Sequence, residues 1–364
     1  MRLIIARSNF FSYSETFIEE QIKQLDPVHV LYEGWQPSRL KAGGSIYPLP
    51  FSILAVRGVL RRVAPALYQK IYTYYLRRFL RASKVDAFLA NYGPLGTNIY
   101  EACLAEGIPY SVVFLGFDAA EKKTLATYGA RYALNLPRAK AIICVAESMR
   151  ANLEEIAGPL PNLHVIPCGV DVSKFTPSTP SDGFNVISVA RFAEKKGSLK
   201  SIQAFEILLQ EFPDAQLRMV GDGPLWEEAR NYVSSQGLSE NIHFLGAMGQ
   251  SEYLPLLQKS NVFIQHSVLT PSGDSEGTPV AILEASACGL AICSTRHAGI
   301  PEAVIEEKTG LLVDEHDVKG MAEALKKLAS NPSLTRSYGA AARKHMEEQY
   351  DVVKLSAKIK GLLV

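Results

Sequence analysis

Two glutamates eight positions apart, Glu276 and Glu284, flank a segment whose residue types could bind a phosphorylated sugar. Between them, Thr278 and Pro279 are typical of a helix start, with proline as the first helical residue and threonine as its cap. Free backbone N–H groups at such a start bind phosphate. One glutamate could then face a sugar and the other a ribose. The alternative is that Glu276 only favours the helix dipole and Glu284 is solvated.

A second group of candidates is cationic. Arg191, Lys195 and Lys196 directly follow a strand predicted at 185–190, which places them at its carboxyl end. Cations there could stabilise the negative charge that develops on a diphosphate leaving group. The alternative is a surface ion pair between Glu194 and one of the lysines.

Other loops that follow predicted strands could also contact a nucleotide. Gly221 and Gly223 would let a ligand approach the backbone, although such a turn is more often plain turn chemistry. A flat base could lie on the loop around Met248, and His297 could reach the same edge. The seven histidines lack the paired spacing of a metal site, and there is no Asp-x-Asp motif. We therefore expect no metal and no cofactor.

Parallel sheets are the elements that would position these loops. Apolar segments of strand length alternate with amphipathic helical ones, which argues for sheets with helices on both faces. Ligands bind such sheets at the carboxyl ends of the strands. The predicted strands are 3–6, 28–32, 87–90, 110–114, 141–145, 164–166, 185–190, 216–220, 242–245, 262–265, 291–294 and 310–313, and the longest helical pattern lies near 56–82.

The alternation breaks once, in a stretch rich in proline and glycine that we interpret as a linker. At 364 residues the chain suits two domains. We predict an α/β protein with two Rossmann-like parallel-sheet domains that face a central cleft. The predicted boundaries are 1–168 for the first domain, 169–183 for the linker, 184–345 for the second domain, and 346–364 for a helix that crosses back to the first.

Composition favours a cytoplasmic protein. No apolar run approaches the roughly 18–20 residues of a membrane span, and the short apolar N-terminus is interpreted as a strand instead of a secretory signal. The five cysteines include no Cys-x-x-Cys pair and sit in apolar surroundings, so disulfides are not expected.

Charge is unevenly spread. Between Glu33 and Asp86 there are ten basic residues, interleaved with aromatic ones, and no acidic residue. Such a stretch would attract an anionic membrane surface. The alternative is a solvated helix face whose acidic partners lie elsewhere in the fold. Nucleic acid is not expected as a partner, because no recognised nucleic-acid module is present. The membrane-contact candidates are Arg57, Arg61, Arg62, Arg77, Arg78 and Arg81.

Taken together, these segments resemble the retaining glycosyltransferases of family 4, which have the two-domain GT-B architecture. In the second domain the resemblance covers nearly every element. In the first it is thinner, and with the form of the linker motif it looks like the branch that builds bacterial exopolysaccharides such as colanic acid. The motifs are Glu276-(seven residues)-Glu284, Arg191…Lys196-Gly197, Gly221-Asp222-Gly223-Pro224, Pro167-Cys168-Gly169-Val170-Asp171, Ser14-Glu15-Thr16-Phe17-Ile18 and Gly116-Phe117-Asp118.

The resemblance implies a role for each matching residue. Arg191 and Lys196 would bind the donor diphosphate, Glu276 would hydrogen-bond the donor sugar, and Glu284 would hold the ribose. The other implied donor contacts are Gly277, Thr278, Pro279 and Val280 along sugar and phosphate, and Gly221 and Met248 at the base. Ser14, Glu15 and Asp118 would lie on the acceptor side. One position departs from the pattern, since Leu115 stands where the family usually has a histidine near the donor sugar. That leaves open a different donor, a substituting group or reduced activity.

The implied activity is metal-independent transfer of a hexose, with retention, from a nucleotide sugar for which UDP-glucose is the first candidate. The implied acceptor is a lipid-diphosphate-linked sugar, with the enzyme peripheral on the inner face of the cytoplasmic membrane. Two alternatives remain, a sugar-nucleotide epimerase and a non-catalytic nucleotide-sugar-binding protein. A nicotinamide oxidoreductase is excluded, because Arg7-Ser8-Asn9-Phe10 follows the first strand in place of a Gly-x-Gly-x-x-Gly motif.

Overall fold

The computed structural model describes residues 1–10, 15–47, 52–179 and 181–363, and the chain divides into two compact units. Unit 1 comprises Met1–Ile166 and Ser356–Val364, and unit 2 comprises Pro167–Leu355. The described part of the expected linker belongs to unit 2, because Val170 and Phe175 are buried in that unit's core.

Unit 1 is built on a seven-stranded sheet whose central strands are buried on both faces. Its strands are β1 Leu3–Ala6, β2 His29–Tyr32, β3 Arg39–Leu40, β4 Ala87–Asn91, β5 Tyr110–Phe114, β6 Ala141–Cys144 and β7 Leu163–Val165. Their order is β3-β2-β1-β4-β5-β6-β7, and all neighbours are parallel except β2 and β3. The predicted strands are confirmed within two residues, but the short antiparallel edge strand β3 was not predicted.

The helices of unit 1 are α1 Thr16–Leu25, α2 Ser52–Val63, α3 Pro65–Ser83, α4 Gly93–Ala105, α5 Lys122–Asn135 and α6 Glu147–Ala157. The prediction of one long helix near 56–82 is wrong, because helix α2 ends at Val63 and a separate helix, α3, begins at Pro65 after the cap residue Ala64. Proline lacks an N–H donor and disfavours helical backbone in the residue before it, whereas it suits the first turn of a new helix.

Unit 2 contains a six-stranded, fully parallel sheet in the order β10-β9-β8-β11-β12-β13. Its strands are β8 Asn185–Val189, β9 Gln216–Val220, β10 Ile242–Gly246, β11 Val262–Gln265, β12 Ala291–Thr295 and β13 Gly310–Val313. Its helices are α7 Ser198–Leu209, α8 Trp226–Ser235, α9 Gln250–Gln258, α10 Val280–Ala287, α11 Ile300–Ala303, α12 Val318–Ser330 and α13 Pro332–His345, followed by a π-helical turn Met346–Tyr350. The last helix, α14 Val352–Leu363, begins in unit 2, and its residues from Ser356 onward belong to unit 1.

The strand order of unit 2 reverses between β8 and β11, which pair with each other. At such a switch point the loops that follow the two strands leave in opposite directions, and ligands of parallel α/β sheets bind in the crevice between them. The residues after β8 and after β11 are those that the sequence nominates for the donor.

Candidate active site

An ion pair joins the two loops at the switch point of unit 2. Lys196 ends a short 3₁₀ turn after β8, and its Nζ lies 2.8 Å from Oε1 of Glu276, in the loop after β11. Glu276 is buried, which alone would raise its pKa, but the charges of Lys196 and Lys195 and the hydrogen bond from Lys196 bring the net pKa below its usual value. The carboxylate is therefore held ionised against a fixed cation.

Lys195 makes a parallel connection between the same two loops. Its Nζ lies 2.9 Å from Asp274 Oδ1 and 3.4 Å from the carbonyl oxygen of Ser275. The alternative in which Glu194 pairs with one of the lysines is wrong, because both lysines reach across to the facing loop. The side chains are drawn there by carboxylates that lie about 80 residues further along the chain.

Helix α10 begins one residue later than predicted. Pro279 occupies the cap position, with φ −78° and ψ 89°, and Val280 is the first helical residue. The Thr278 hydroxyl accepts a hydrogen bond from the Cys168 N–H at 3.2 Å. At the other end, Gly289 has φ +80°, as expected of the residue that stops a helix. Gly277 and Pro279 are buried, and Thr278 and Val280 are half-buried.

Glu284 is buried in the second turn of α10 and is not solvated, so that alternative is wrong. Its two oxygens accept hydrogen bonds from Gln250 Nε2 at 2.6 Å and from the Tyr253 hydroxyl at 2.8 Å. Burial raises the pKa of Glu284 to about 7, because it outweighs these hydrogen bonds and the charge of Lys174. The carboxyl group thus titrates near neutral pH.

This raised pKa predicts a pH-dependent stability that Glu284→Gln removes. The folded state keeps its proton to about pH 7, whereas an unfolded glutamate loses it near pH 4.3. The contribution of Glu284 is therefore complete below about pH 4.3 and is lost as the pH rises through 7. The loss is about 4 kcal/mol, from the size of the pKa difference.

The measurement is urea unfolding of the wild type and of Glu284→Gln between pH 4.5 and 8. The free energy of unfolding of the wild type should fall relative to that of the variant as the pH rises. Other groups that titrate in this range, among them Asp118, contribute equally to the wild type and the variant, so their contribution cancels in the difference. Parallel curves over the whole range would contradict the prediction.

Backbone packing explains the glycines of the loop after β9. A Cβ on Gly221, where φ is +131°, would lie 1.9 Å from the carbonyl oxygen of Ala190, and a Cβ on Gly223 would lie 2.6 Å from that of Phe192. The loop is bonded to its neighbour through the Phe192 N–H and the Asp222 carbonyl at 2.7 Å. These close approaches are made by protein backbone, so they need no ligand to account for them.

The remaining donor candidates lie on the same edge of the sheet. Arg191 is exposed directly after β8, and Met248 is half-buried two residues after β10. The Gly221 N–H donates to the Gly246 carbonyl at 2.8 Å, which ties the loop after β9 to the end of β10. Three successive strand ends are thus connected by backbone hydrogen bonds.

In unit 1, Glu15 lies in a network of buried polar groups at the carboxyl end of β1. Its carboxylate accepts hydrogen bonds from the Tyr92 hydroxyl at 3.0 Å, from Asn9 Nδ2 at 3.3 Å, and from the fully buried Arg7 at 3.3 Å. Ser14 lies outside the described residues. The acceptor role of both residues stays a prediction.

Asp118 is fully buried and serves the loop that contains it. Its oxygens accept hydrogen bonds from the backbone N–H groups of Gly93, Leu115 and Gly116 at 2.9–3.0 Å. Burial nevertheless raises its pKa to about 6. This geometry disfavours direct contact between Asp118 and an acceptor, because the side chain is fully buried and both of its oxygens already accept hydrogen bonds from backbone N–H groups.

The six candidate arginines for membrane contact fall into two groups. Arg57 lies near Glu33, and Arg77 and Arg81 both pair with Glu106. For Arg57, Arg77 and Arg81, the alternative to membrane contact therefore holds, namely that their acidic partners lie elsewhere in the fold. Arg61, Arg62 and Arg78 are exposed, and the neighbouring Val59, Val63, Leu67 and Tyr74 are exposed as well.

Two other features are missing from the part of the chain that the structure describes. Within the described ranges, no helix combines the length and apolar character needed to cross a bilayer. Over the same ranges, histidine, cysteine, aspartate and glutamate form no group of three suited to a metal ion.

Comparison with known proteins identifies the family. Residues 12–174 match the family model described as Glycosyltransferase Family 4, and residues 171–345 match the one described as Glycosyl transferases group 1. The chain belongs to the family 4 glycosyltransferases. A protein of Escherichia coli (strain K12), named as a colanic acid biosynthesis glycosyltransferase, is 31% identical over 248 residues. An amylovoran biosynthesis glycosyltransferase of Erwinia amylovora is 26% identical over 272 residues.

The matches cover only part of these relatives. The first spans 66% of this glycosyltransferase and 61% of the Escherichia coli protein, and the second spans 73% and 67%. Among solved structures, an Anabaena protein in complex with UDP-glucose superposes with a TM-score of 0.75 at 15% identity, covering 100% of this chain and 99% of the other. Sucrose-phosphate synthase from Thermosynechococcus elongatus superposes with a TM-score of 0.75 at 18% identity, covering 100% and 98%. The fold is GT-B.

In this glycosyltransferase the loop that departs from the family pattern is held by its backbone. Leu115 is half-buried, and its N–H donates to Asp118 Oδ1 at 2.9 Å. The side chain at position 115 does not take part in that hydrogen bond. The loop can therefore keep this conformation without the histidine.

Three residues of the site were not found from the sequence. Gln250 and Tyr253 contact Glu284 from helix α9, and Glu315 contacts His297 from the loop after β13. Gln250 stands two residues after the nominated Met248, which was a usable signal. Nothing local marked Tyr253 or Glu315.

Proposed function

We propose that the chain is a retaining glycosyltransferase that moves a hexose, glucose in the first instance, from a UDP-sugar to a lipid-linked glycan acceptor in exopolysaccharide synthesis. The observation that carries the proposal is the ion pair between the half-buried Lys196 and the buried Glu276 at the switch point of unit 2, beside the start of helix α10. It joins a cation suited to a diphosphate with a carboxylate suited to sugar hydroxyls.

The donor would replace parts of this ion pair on binding. The diphosphate would take Lys196 together with Arg191 and the first N–H groups of α10. Glu276, released from the lysine, would accept hydrogen bonds from the sugar, and Glu284 would accept them from the ribose. Gly277, Thr278, Pro279 and Val280 would lie along sugar and phosphate, with Gly221 and Met248 near the base.

The proposed chemistry needs no protein nucleophile and no metal. The bond between the sugar's anomeric carbon and the diphosphate oxygen breaks, and the acceptor oxygen bonds to that carbon on the same face. The departing phosphate oxygen takes the acceptor's proton. The enzyme contributes by positioning the reactants and by stabilising the charge on the diphosphate.

The choice of donor rests on relatives whose names differ. The Anabaena structure contains UDP-glucose, whereas a relative from Corynebacterium glutamicum, 30% identical over 220 residues, is named as GDP-mannose-dependent. The relatives named for colanic acid and amylovoran biosynthesis support a role in exopolysaccharide synthesis. UDP-glucose is therefore the first donor to test, and GDP-mannose the second.

The test is thermal unfolding of the protein with a panel of UDP, GDP and ADP sugars. A ligand at about 100 times its dissociation constant stabilises by about 2.7 kcal/mol, which is roughly 5–10 °C for a unit of this size. We expect a shift with UDP-glucose that Glu284→Ala abolishes. No shift with any sugar nucleotide would refute a donor site.

Two other activities predict different results once binding is established. An epimerase would convert the donor sugar with no acceptor present. A non-catalytic binding protein would bind the donor and leave it intact with every acceptor offered. The Lys196–Glu276 ion pair favours catalysis over binding alone, because stabilising a departing diphosphate is useful only if the bond to it breaks.

We also propose that the exposed cationic face of α2 and α3 meets the anionic membrane surface. Each basic residue near such a surface contributes about 1 kcal/mol. Reversing Arg61, Arg62 and Arg78 to glutamate should thus weaken binding to vesicles containing phosphatidylglycerol by at least about 100-fold. Sedimentation of protein with the vesicles measures this.

The matched control reverses three exposed cations of unit 2, Lys308, Lys319 and Arg336. Reversing Arg77 and Arg81 should have a smaller effect, because Glu106 already neutralises part of their charge. If the unit 1 and unit 2 triple variants bind vesicles equally well, the membrane proposal is wrong.

A further inference from the structure

A histidine and a glutamate lie directly behind the loop that contains Glu276. His297 follows β12 and is buried, with 2% of its surface exposed, and Glu315 follows β13. The backbone N–H of Glu276 donates to His297 Nε2 at 3.1 Å, and His297 Nδ1 lies 2.7 Å from Glu315 Oε1. The three residues thus form one chain of hydrogen bonds within unit 2.

The direction of each hydrogen bond follows from its members. A backbone N–H can only donate, so His297 Nε2 must present a lone pair, and the single proton of the neutral ring must be on Nδ1. That proton points to Glu315. The other carboxylate oxygen of Glu315 accepts from the Leu269 N–H at 2.7 Å. Although its partial burial would raise the pKa of Glu315, the Leu269 and His297 hydrogen bonds lower it, so the carboxylate stays ionised.

The position of Glu276 depends on this chain. The loop between β11 and α10 has no regular secondary structure around Glu276. Glu276 is nevertheless a buried residue. Without an acceptor at His297 Nε2, its N–H would be unpaired, which a buried group avoids by moving. The Lys196 contact restrains only the tip of the side chain. The His297 contact is what fixes the backbone from which that side chain extends.

We propose that His297 and Glu315 are positioning residues for the donor sugar. Glu315 holds His297 in the tautomer whose Nε2 accepts, and His297 holds the Glu276 backbone so that the carboxylate meets the sugar hydroxyls. Neither residue touches the reacting atoms. The sugar-binding part of the inference rests on the proposed function, whereas the loop-positioning part does not.

Two substitutions of His297 separate this role from simple packing. In Gln, the amide oxygen is four bonds from Cα, as Nε2 is in histidine, so His297→Gln can accept from the Glu276 N–H. In Asn, the oxygen is three bonds away, as Nδ1 is, so His297→Asn leaves that N–H without its acceptor. Both variants are polar and smaller than histidine. Because asparagine is also smaller than glutamine, His297→Met, which fills similar space and accepts no hydrogen bond from the Glu276 N–H, completes the set. It should resemble His297→Asn if the acceptor matters and His297→Gln if only packing matters.

Glu315→Gln tests the second link. Glu315 accepts hydrogen bonds from two donors, one at each oxygen. A glutamine offers a single oxygen, so either the Leu269 N–H or His297 loses its acceptor. If His297 loses it, the ring can take the other tautomer, in which Nε2 carries the proton and cannot accept from Glu276.

The first experiment needs no ligand and measures amide hydrogen exchange of peptides covering 270–280 in the full-length protein. His297→Asn should exchange at least about 10-fold faster at Glu276 than wild type, because a lost buried hydrogen bond favours local opening. Glu315→Gln should fall between them, and His297→Gln should stay near wild type. His243→Gln, a half-buried histidine on β10, is the control and should leave these peptides unchanged.

The second experiment compares UDP with UDP-glucose. UDP affinity should be the same in wild type, His297→Asn and His297→Gln, whereas turnover of UDP-glucose should fall about 10–100-fold in His297→Asn and recover in His297→Gln. Unchanged exchange in His297→Asn, or equal losses in the two variants, would overturn the inference. If wild type binds no sugar nucleotide but the exchange pattern holds, the proposed function falls and the positioning of Glu276 stands.

Discussion

Replacing Lys196 with methionine is expected to lower the rate of sugar transfer by about 10²–10³-fold, the usual cost of losing one group that stabilises transition-state charge. The loss should be mainly in kcat, because charge on the diphosphate oxygen grows as its bond to the sugar breaks. The measurement is steady-state transfer from UDP-glucose, with nucleotide release as the readout.

Two controls distinguish this from a folding defect. Lys196→Met also leaves the buried Glu276 carboxylate without its partner, which destabilises unit 2. Rates are therefore measured well below the unfolding temperature of the variant, and Lys196→Met/Glu276→Gln removes the unpaired charge. The matched control is Lys327→Met, which breaks an exposed ion pair with Glu307 and should be neutral. A Lys196→Met enzyme with near wild-type kcat would exclude the proposed role.

Replacing Arg343 with methionine is expected to lower the free energy of unfolding of unit 2 by about 3–5 kcal/mol. This largely buried arginine on α13 donates to the carbonyl oxygens of Val172, Phe175 and Ala287 at 2.5–2.8 Å and pairs with Glu347. Methionine fills similar space but leaves three carbonyl groups without their donor. Calorimetry should show a fall in Tm of roughly 6–20 °C.

Arg336→Met is the matched control, since Arg336 lies on the same helix but is exposed. It should change Tm by no more than about 2 °C. Equal Tm values for the two variants would mean that the three carbonyl groups find other donors. In that case α13 would not be what secures residues 172–175 and the end of α10.

The sheets were predictable because their signal is local. Each inner strand is a short run of branched apolar residues between turn residues, and burial on both faces makes the run continuous. The signal for the helix break, Pro65, was also local. The helical periodicity on both sides of Pro65 nevertheless led to the prediction of a single helix. The edge strand β3 has two residues and pairs antiparallel, so it carries almost no pattern of its own.

The site was predictable as a set of residues but not as a set of contacts. Glu276, Glu284 and Lys196 were nominated from the types and order of residues at strand ends. Their partners depend on which strands are neighbours, and that order is not written in any one segment. From the sequence, an ion pair of Lys196 with the nearby Glu194 therefore stood as an alternative. In the structure the partner is Glu276, from the loop after the neighbouring strand β11.

Distance along the chain also hid the second set of contacts. Tyr253 and Glu315 lie 31 and 18 residues from the side chains that they contact. Asp118 was nominated as an acceptor-side residue from its match to the family motif, and nothing local marked the three backbone N–H groups that donate to its carboxylate.

The close packing of the strand-end loops limits how this enzyme could be redesigned or could diverge. Gly221 and Gly223 cannot gain a side chain without moving the backbone of Ala190 and Phe192. That backbone belongs to the loop that carries Arg191 and leads to Lys196, so a change aimed at the proposed base contact would also disturb the proposed diphosphate contacts. Met248 follows the last hydrogen bond of the series, at Gly246, and packs at the edge of the unit 2 core, so it can be exchanged for other apolar side chains without moving the loop after β8. A library that seeks a new nucleotide preference should therefore leave both glycines intact and concentrate its diversity around Met248.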